Sequence, residues 1–241
     1  KQQQIRISSL VLAMSIAGFT SQTYSSGFAL IENSASGQGN AFAGAAAYAE
    51  DASTVWFNPA GMMTLDKNQI LVAGHYITPS SSFTNGNSVD GLGVPLSGVN
   101  DDGGIDAFVA NFYWVTDIRD DMKFGLGVTT PFGLTTLYDD SWVGRYHAVE
   151  SDLKTININP SIAYQVNEKF SVGGGINLML ADVTLTSAID FGAVCYAALN
   201  QATCDAQGAL PQQTDGFGDL TGDNFSDLSW GLNLGLMYDF T

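Results

Sequence analysis

Basic residues are scarce: 8 Lys and Arg stand against 24 Asp and Glu in 241 residues, for a formal net charge of −16 at pH 7. A nucleic-acid surface needs clustered Lys and Arg, so that class is excluded. Long apolar runs are missing too, which leaves nothing to cross a bilayer as a helix. Charged residues are only 13% of the chain and aromatics reach 11%, a balance unlike that of disordered segments. Histidine is limited to His75 and His147, far apart and with no Ser or Cys in a nucleophile setting nearby. The two cysteines, Cys195 and Cys204, are nine residues apart, which is no metal-ligand pattern. Asp205, Asp215, Asp219, Asp223 and Asp227 do not follow the spacing of a calcium-binding loop. The expectation is a protein that is not an enzyme and needs no cofactor and no metal.

What is present starts with an export signal. Residues 1–25 carry Lys1 and Arg6, an apolar stretch from Ile7 to Phe19, and small polar residues before a cut near Ser26. In an exported chain Cys195 and Cys204 are expected to form one small disulfide. Residues 26–67 follow and are dominated by Gly and Ala, with a short helix expected over 40–49 and a turn at Asn58-Pro59-Ala60. So little bulk cannot build a core of its own. This segment needs a container.

From residue 68 the pattern has period two. Strands are expected over 69–79, 105–116, 122–131, 150–166, 170–188 and 227–240. Long connections at 80–104, 132–148 and 189–226 alternate with short turns near Arg119 and Glu168, the asymmetry of transmembrane β-barrels. In the fourth strand Ile156, Ile158, Ile162 and Tyr164 oppose Thr155, Asn157, Asn159 and Ser161. In the sixth, Leu228, Trp230, Leu232, Leu234 and Leu236 oppose Ser229, Gly231, Asn233 and Gly235. The fifth changes phase between Leu180 and Val183, which a bulge near Asp182 would explain. A soluble β-sandwich shares the alternation, but not the export signal or the turn asymmetry.

The ordered set Gly27-Phe28, Glu32, Ser36-Gly37, Ala41, Gly44-Ala45, Asp51-Ala52 and Asn58-Pro59-Ala60 resembles the N-terminal hatch of the FadL/TodX family, outer-membrane transporters of long-chain fatty acids and other hydrophobic compounds. The resemblance implies an all-β fold: a transmembrane antiparallel β-barrel of fourteen strands around a hatch, of which this chain reads as the N-terminal part with about six. It implies a kinked third strand with a lateral opening, placed here at Gly125, Gly127 and Pro131; the alternative is that Pro131 simply ends the strand at the rim. It implies a hydrophobic capture groove on the long loop, placed at Phe191, Val194, Tyr196, Leu199, Leu210 and Phe217. Family members hold a carboxylate with basic residues; Arg145 and Lys154 are the candidates, since Thr184 to Ala188 contains neither Lys nor Arg. Asn58 is expected to pin the hatch beside the third-strand opening.

The expected function is uptake of hydrophobic molecules, long-chain fatty acids first, across a bacterial outer membrane. Expected partners are that ligand, outer-membrane lipid and lipopolysaccharide, with the protein a monomer and no nucleic acid bound. A structural or adhesive barrel with a permanent plug is the alternative. A water-filled porin is disfavoured, because the plug would block it.

Overall fold

The computed structural model describes residues 27–91, 93–222 and 227–240. The expected export signal at 1–25, the expected cut near Ser26, and Asp223 lie outside them. Six long strands lie in chain order in one antiparallel sheet: β1 (Gln69–Ile77), β4 (Ala107–Arg119), β5 (Met122–Thr129), β7 (Glu150–Asn167), β8 (Phe170–Asp190) and β10 (Asp227–Tyr238). Among the described residues the sheet is open, with β1 and β10 at its edges. Among the described residues no helix is long and apolar enough to cross a membrane.

The faces of this sheet are inverted relative to a water-soluble protein. Asn111, Thr129, Thr155, Asn157, Asn159, Ser161 and Ser171 are buried on one face, while Ile70, Val72, Phe108, Trp230, Leu232, Leu234 and Leu236 are exposed on the other. Leu234 keeps 86% of its surface. In water that arrangement would be strongly unfavourable, at roughly 25 cal/mol for every Å² of exposed hydrocarbon. Facing lipid it is favourable. The polar face closes on the N-terminal segment.

That segment forms α1 (Ala35–Gly39), α2 (Thr54–Phe57) and a 3₁₀ turn over Pro59–Thr64. The helix expected over 40–49 comes earlier instead. Ser34 caps α1 through its hydroxyl, and the chain leaves the helix at once because Ala41 and Phe42 take φ of 54° and 57°. The core is small and two-sided: Ala52, Val55, Met62 and Leu65 of the hatch against Tyr113, Val115 and Ala163 of the wall.

The long connections hold more structure than their polar composition suggests. Residues 80–104 contain the short pair β2 (Ser82–Phe83) and β3 (Asp101–Asp102). After Pro131 the third strand resumes as β6 (Gly133–Leu137) on β7. Residues 189–226 contain α3 (Phe191–Ala198), α4 (Gln201–Ala206) and β9 (Asp215–Thr221), the last paired with the outer end of β8.

The bulge expected near Asp182 is absent. β8 keeps one register with β7 from Thr186 down to Ser171. Its environment changes instead: beyond Asp182 the strand pairs with β9, and polar Asp182, Thr184 and Thr186 occupy the parity that faced lipid below. The register therefore holds while polar side chains replace apolar ones on the outward parity.

Candidate functional site

The hatch is fixed at its base. The side-chain amide of Asn58 donates to the carbonyls of Ala46 (2.7 Å) and Leu236 (3.1 Å), while its oxygen accepts from the N–H of Ala60 (3.1 Å). The hydroxyl of Ser171 donates to the carbonyl of Ala60 at 3.1 Å. Asn58-Pro59-Ala60 therefore sits on β8 and β10, and not beside the third strand as expected. Two glycines make the approach possible. A Cβ on Gly173 would lie 2.4 Å from the backbone N of Ala60, and one on Gly235 would lie 2.0 Å from the side-chain oxygen of Asn58. At the opposite end the buried Lys123 ammonium donates to the carbonyl of Leu65 and pairs with Asp117 at 3.0 Å.

The third strand lies under the same segment. A Cβ on Gly125 would come within 2.4 Å of Met62 Sδ and 2.7 Å of Val55 Cγ2, so its bareness admits the hatch. Gly127 has ordinary clearance, 3.5 Å to Tyr113 and Val55. The ladder between β4 and β5 stops at Phe112 and Val128, although β4 goes on pairing with β1 as far as Ala107. Residues 107–111 thus have no ladder partner toward β5 among the described residues. Farther out, the wall closes again where Leu137 donates to the carbonyl of Gly103 at 3.0 Å. Pro131, lacking an N–H, falls in the interruption. Phe132 is held by the Thr155 hydroxyl, which donates to its carbonyl (2.7 Å) and accepts from its N–H (3.0 Å).

This gap is covered from inside by the start of the hatch. Leu30 donates to the carbonyl of Pro131 (2.9 Å) and Gly133 to the carbonyl of Phe28 (3.0 Å). On the other lip the Asn111 amide donates to the carbonyl of Glu32 and accepts from the N–H of Thr130 at 3.2 Å, and the Tyr113 hydroxyl donates to the carbonyl of Asn33 at 3.2 Å. Next to it lies a hollow of about 210 Å³ lined by Trp56, Pro131, Phe132, Asn157, Asn177, Met179 and Trp230, among others. Asn111, Tyr113 and Gly173 escaped sequence reasoning, and Thr155 and Gly235 were read there only as inward-facing positions. Their only signal was a polar or small residue at the inward-facing parity.

The outer loops clasp one another. Arg145 is buried, with Nε 2.9 Å from Asp215, Nη1 2.7 Å from the carbonyl of Ser97 and Nη2 2.7 Å from the Tyr146 hydroxyl. The Tyr146 hydroxyl donates to Asp215 as well, at 2.9 Å. Burial, then the hydrogen bond to Asp215, pushes the Tyr146 phenol well above its ordinary value. Gln212 reaches the same strap, accepting from the N–H of Ser97 (2.7 Å) and donating to the carbonyl of Pro95 (3.2 Å). Arg145 thus spends its charge inside the protein. Lys154 is exposed, shares the outward parity of Ile156, and pairs with Asp152.

In the long loop, Cys195 and Cys204 are bonded to each other and join α3 to α4. Phe191, Val194, Leu199 and Phe217 are exposed, Leu210 is half-buried, and Tyr196 donates its hydroxyl to Asp205. Asp190 secures the loop's root, accepting from the N–H of Ala193 and of Gln212, both at 2.9 Å.

An antiparallel sheet that is apolar outside and polar inside, folded around its own N-terminal plug, is the wall of a hatch-filled transmembrane β-barrel. Sequence comparison agrees over residues 16–241, which match the family described as outer membrane protein transport protein (OMPP1/FadL/TodX). The chain belongs to that family of outer-membrane proteins. It is 30% identical over 235 residues to a long-chain fatty acid transport protein of Escherichia coli O6:H1, covering 95% of this chain and 50% of that one. It is 36% identical over 166 residues to outer membrane protein P1 of Haemophilus influenzae, covering 64% and 36%. The chain spans about half the length of the curated fatty acid transport relatives it matches. Among solved structures, a Pseudomonas aeruginosa FadL homologue superposes with a TM-score of 0.74 at 24% identity, over 90% of this chain and 50% of that one. The fold is all-β, as the period-two pattern required.

Proposed function

We propose that the protein takes up hydrophobic molecules, long-chain fatty acids or other poorly soluble compounds, by diffusion and without chemistry. The observation that carries this reading is the interruption between β4 and β5, covered among the described residues by residues 28–33. Four hydrogen bonds hold that cover, and each contributes roughly 0.5–1.5 kcal/mol net. A cover held by a few kcal/mol can exchange between two positions. The hatch base, by contrast, is tied to β8, β10 and β5.

The path runs from the apolar outer loops to the hollow beside Trp56, then sideways past Pro131 into the lipid. Release of Leu30 from Pro131 and of Glu32 from Asn111 opens the way. Transfer of the ligand's hydrocarbon from water to the bilayer supplies the driving force. Lipid and lipopolysaccharide cover the exposed row of Leu228, Trp230, Leu232 and Leu234, and the protein acts as a monomer. The curated relatives it matches are named for transport or as outer-membrane proteins, not for a reaction.

Ala29 and Phe132 face each other across a β-bridge, which provides the test. Cysteines introduced at both positions in the full-length protein should stop uptake of labelled oleate and of toluene when oxidised, and restore it on reduction. Unchanged uptake in the cross-linked protein, at equal surface abundance, overturns the lateral route. No uptake by the uncross-linked protein across carboxylate and neutral ligands favours the permanently plugged barrel.

A further inference from the structure

We infer that a second outer cleft, formed by the first two long loops and separate from the groove on residues 189–226, captures uncharged apolar molecules. It has a volume of about 410 Å³ and is walled by Phe83, Val89, Leu96, Trp142 and Val143. This inference rests on the uptake reading above and narrows its ligand class.

The cleft is a built feature. Val99 and Trp142 form a β-bridge, and Val143 donates to the carbonyl of Val99 at 2.9 Å, so the two loops are joined through backbone. The Trp142 indole stacks on Tyr138 at 3.9 Å and meets Phe83 edge-on at 5.7 Å. Its N–H is consumed by the carbonyl of Ala148 at 2.9 Å, so the ring adds only apolar surface to the wall. Exposed Phe83 and Val89 keep the entrance greasy.

Charge decides the ligand. Among the described residues, Ser88 and His147 supply the only polar side chains of the lining, and no carboxylate or fixed cation is among them. The one buried cation nearby, Arg145, is neutralised by Asp215. Beyond His147 the adjoining hollow is lined by Glu150 and Asp219. A carboxylate ligand would be desolvated there without a fixed counter-charge and with two acids in the adjoining hollow, a far larger loss than that of a hydrocarbon or of an alcohol whose hydroxyl Ser88 or His147 can hydrogen-bond.

Decanol and decanoate differ in their head group and test this directly. The Val89-dependent part of binding to the full-length protein at neutral pH, followed by intrinsic fluorescence, should favour decanol by about tenfold or more, equivalent to about 1.4 kcal/mol. Val89→Asp, at an exposed lip position, should weaken decanol by a similar factor, and Val89→Lys should raise decanoate affinity. The two Val89 variants assign the signal to this cleft, because the hollow beside Trp56 does not include Val89. Decanol binding insensitive to Val89→Asp, or decanoate binding to the unmodified protein that Val89→Asp weakens as much as it weakens decanol binding, overturns the inference. Decanol binding that responds to Val89 in a protein that takes up nothing would sink the uptake reading and leave the cleft standing.

Discussion

The side-chain amide of Asn58 lies 3.1 Å from the carbonyl oxygen of Leu236, 178 residues away, and ties the base of the hatch to β10. The same amide also holds Ala46, so a single side chain joins two parts of the hatch to the wall. Asn58→Ala removes both donors and strands the Leu236 carbonyl, a loss of roughly 1–3 kcal/mol. Barrel assembly, read by heat-modifiable migration on a gel, should be unchanged while uptake changes several-fold. Pro59→Gly should act in the same direction. Uptake equal to that of the parent in both variants would reduce the motif to a feature of the fold.

The glycines beneath the hatch should rank by what a Cβ would strike. Gly173→Ala would meet backbone of Pro59 and Ala60, which cannot swing aside. Gly125→Ala would meet Met62 and Val55, of which the Met side chain can yield in part. Gly127→Ala meets only ordinary contacts. Thermal stability should therefore fall most for Gly173→Ala, by a cost of about 1–3 kcal/mol typical of overpacking, less for Gly125→Ala and hardly at all for Gly127→Ala. A Gly127→Ala variant less stable than Gly173→Ala would contradict the close approach of hatch and wall.

Arg145→Ala should loosen the outer cap without disturbing the strands. Asp215 would lose its counter-charge in a partly buried position, a cost of roughly 2–4 kcal/mol. Protease added to intact cells should cut within 189–222 faster in the variant, with the barrel still heat-modifiable. Tyr146 adds a pH dependence. Its folded-state value is raised, so its contribution is complete below the ordinary phenol value of about 10 and is lost as pH rises beyond it. Protease sensitivity of the parent should climb on the alkaline side, and that of Tyr146→Phe should not follow the same curve.

The bond between Cys195 and Cys204 should contribute about 2–3 kcal/mol at most to local order, because the loop it closes is short. Alkylation of the exported protein should label neither cysteine until a reductant is added. Two thiols labelled without reductant would contradict the pairing.

Much was legible in the sequence because the bilayer imposes a simple rule. Each strand must alternate, so the inward row Thr155, Asn157, Asn159, Ser161 and the outward row Leu228 to Leu236 could be read directly from residue order. The Ala- and Gly-rich stretch likewise announced a plug, since it has too little bulk to fold alone. Residue order also bounded the class of protein, through the shortage of basic residues and the alternation of long and short connections.

The tertiary structure decided the rest, because the remaining choices depend on partners distant in the chain. Asn58 has donors to satisfy wherever it sits, and only the fold shows that Leu236, and not the third strand, supplies an acceptor. The phase change in β8 looked like an inserted residue; it is a change of surroundings, which a one-dimensional pattern cannot separate from a bulge. Arg145 read as a free cation until Asp215, 70 residues on, was found beside it. The cover over the wall's gap is held by backbone groups of Phe28, Leu30, Glu32 and Asn33, and these are the same in every residue, so only the fold could select them.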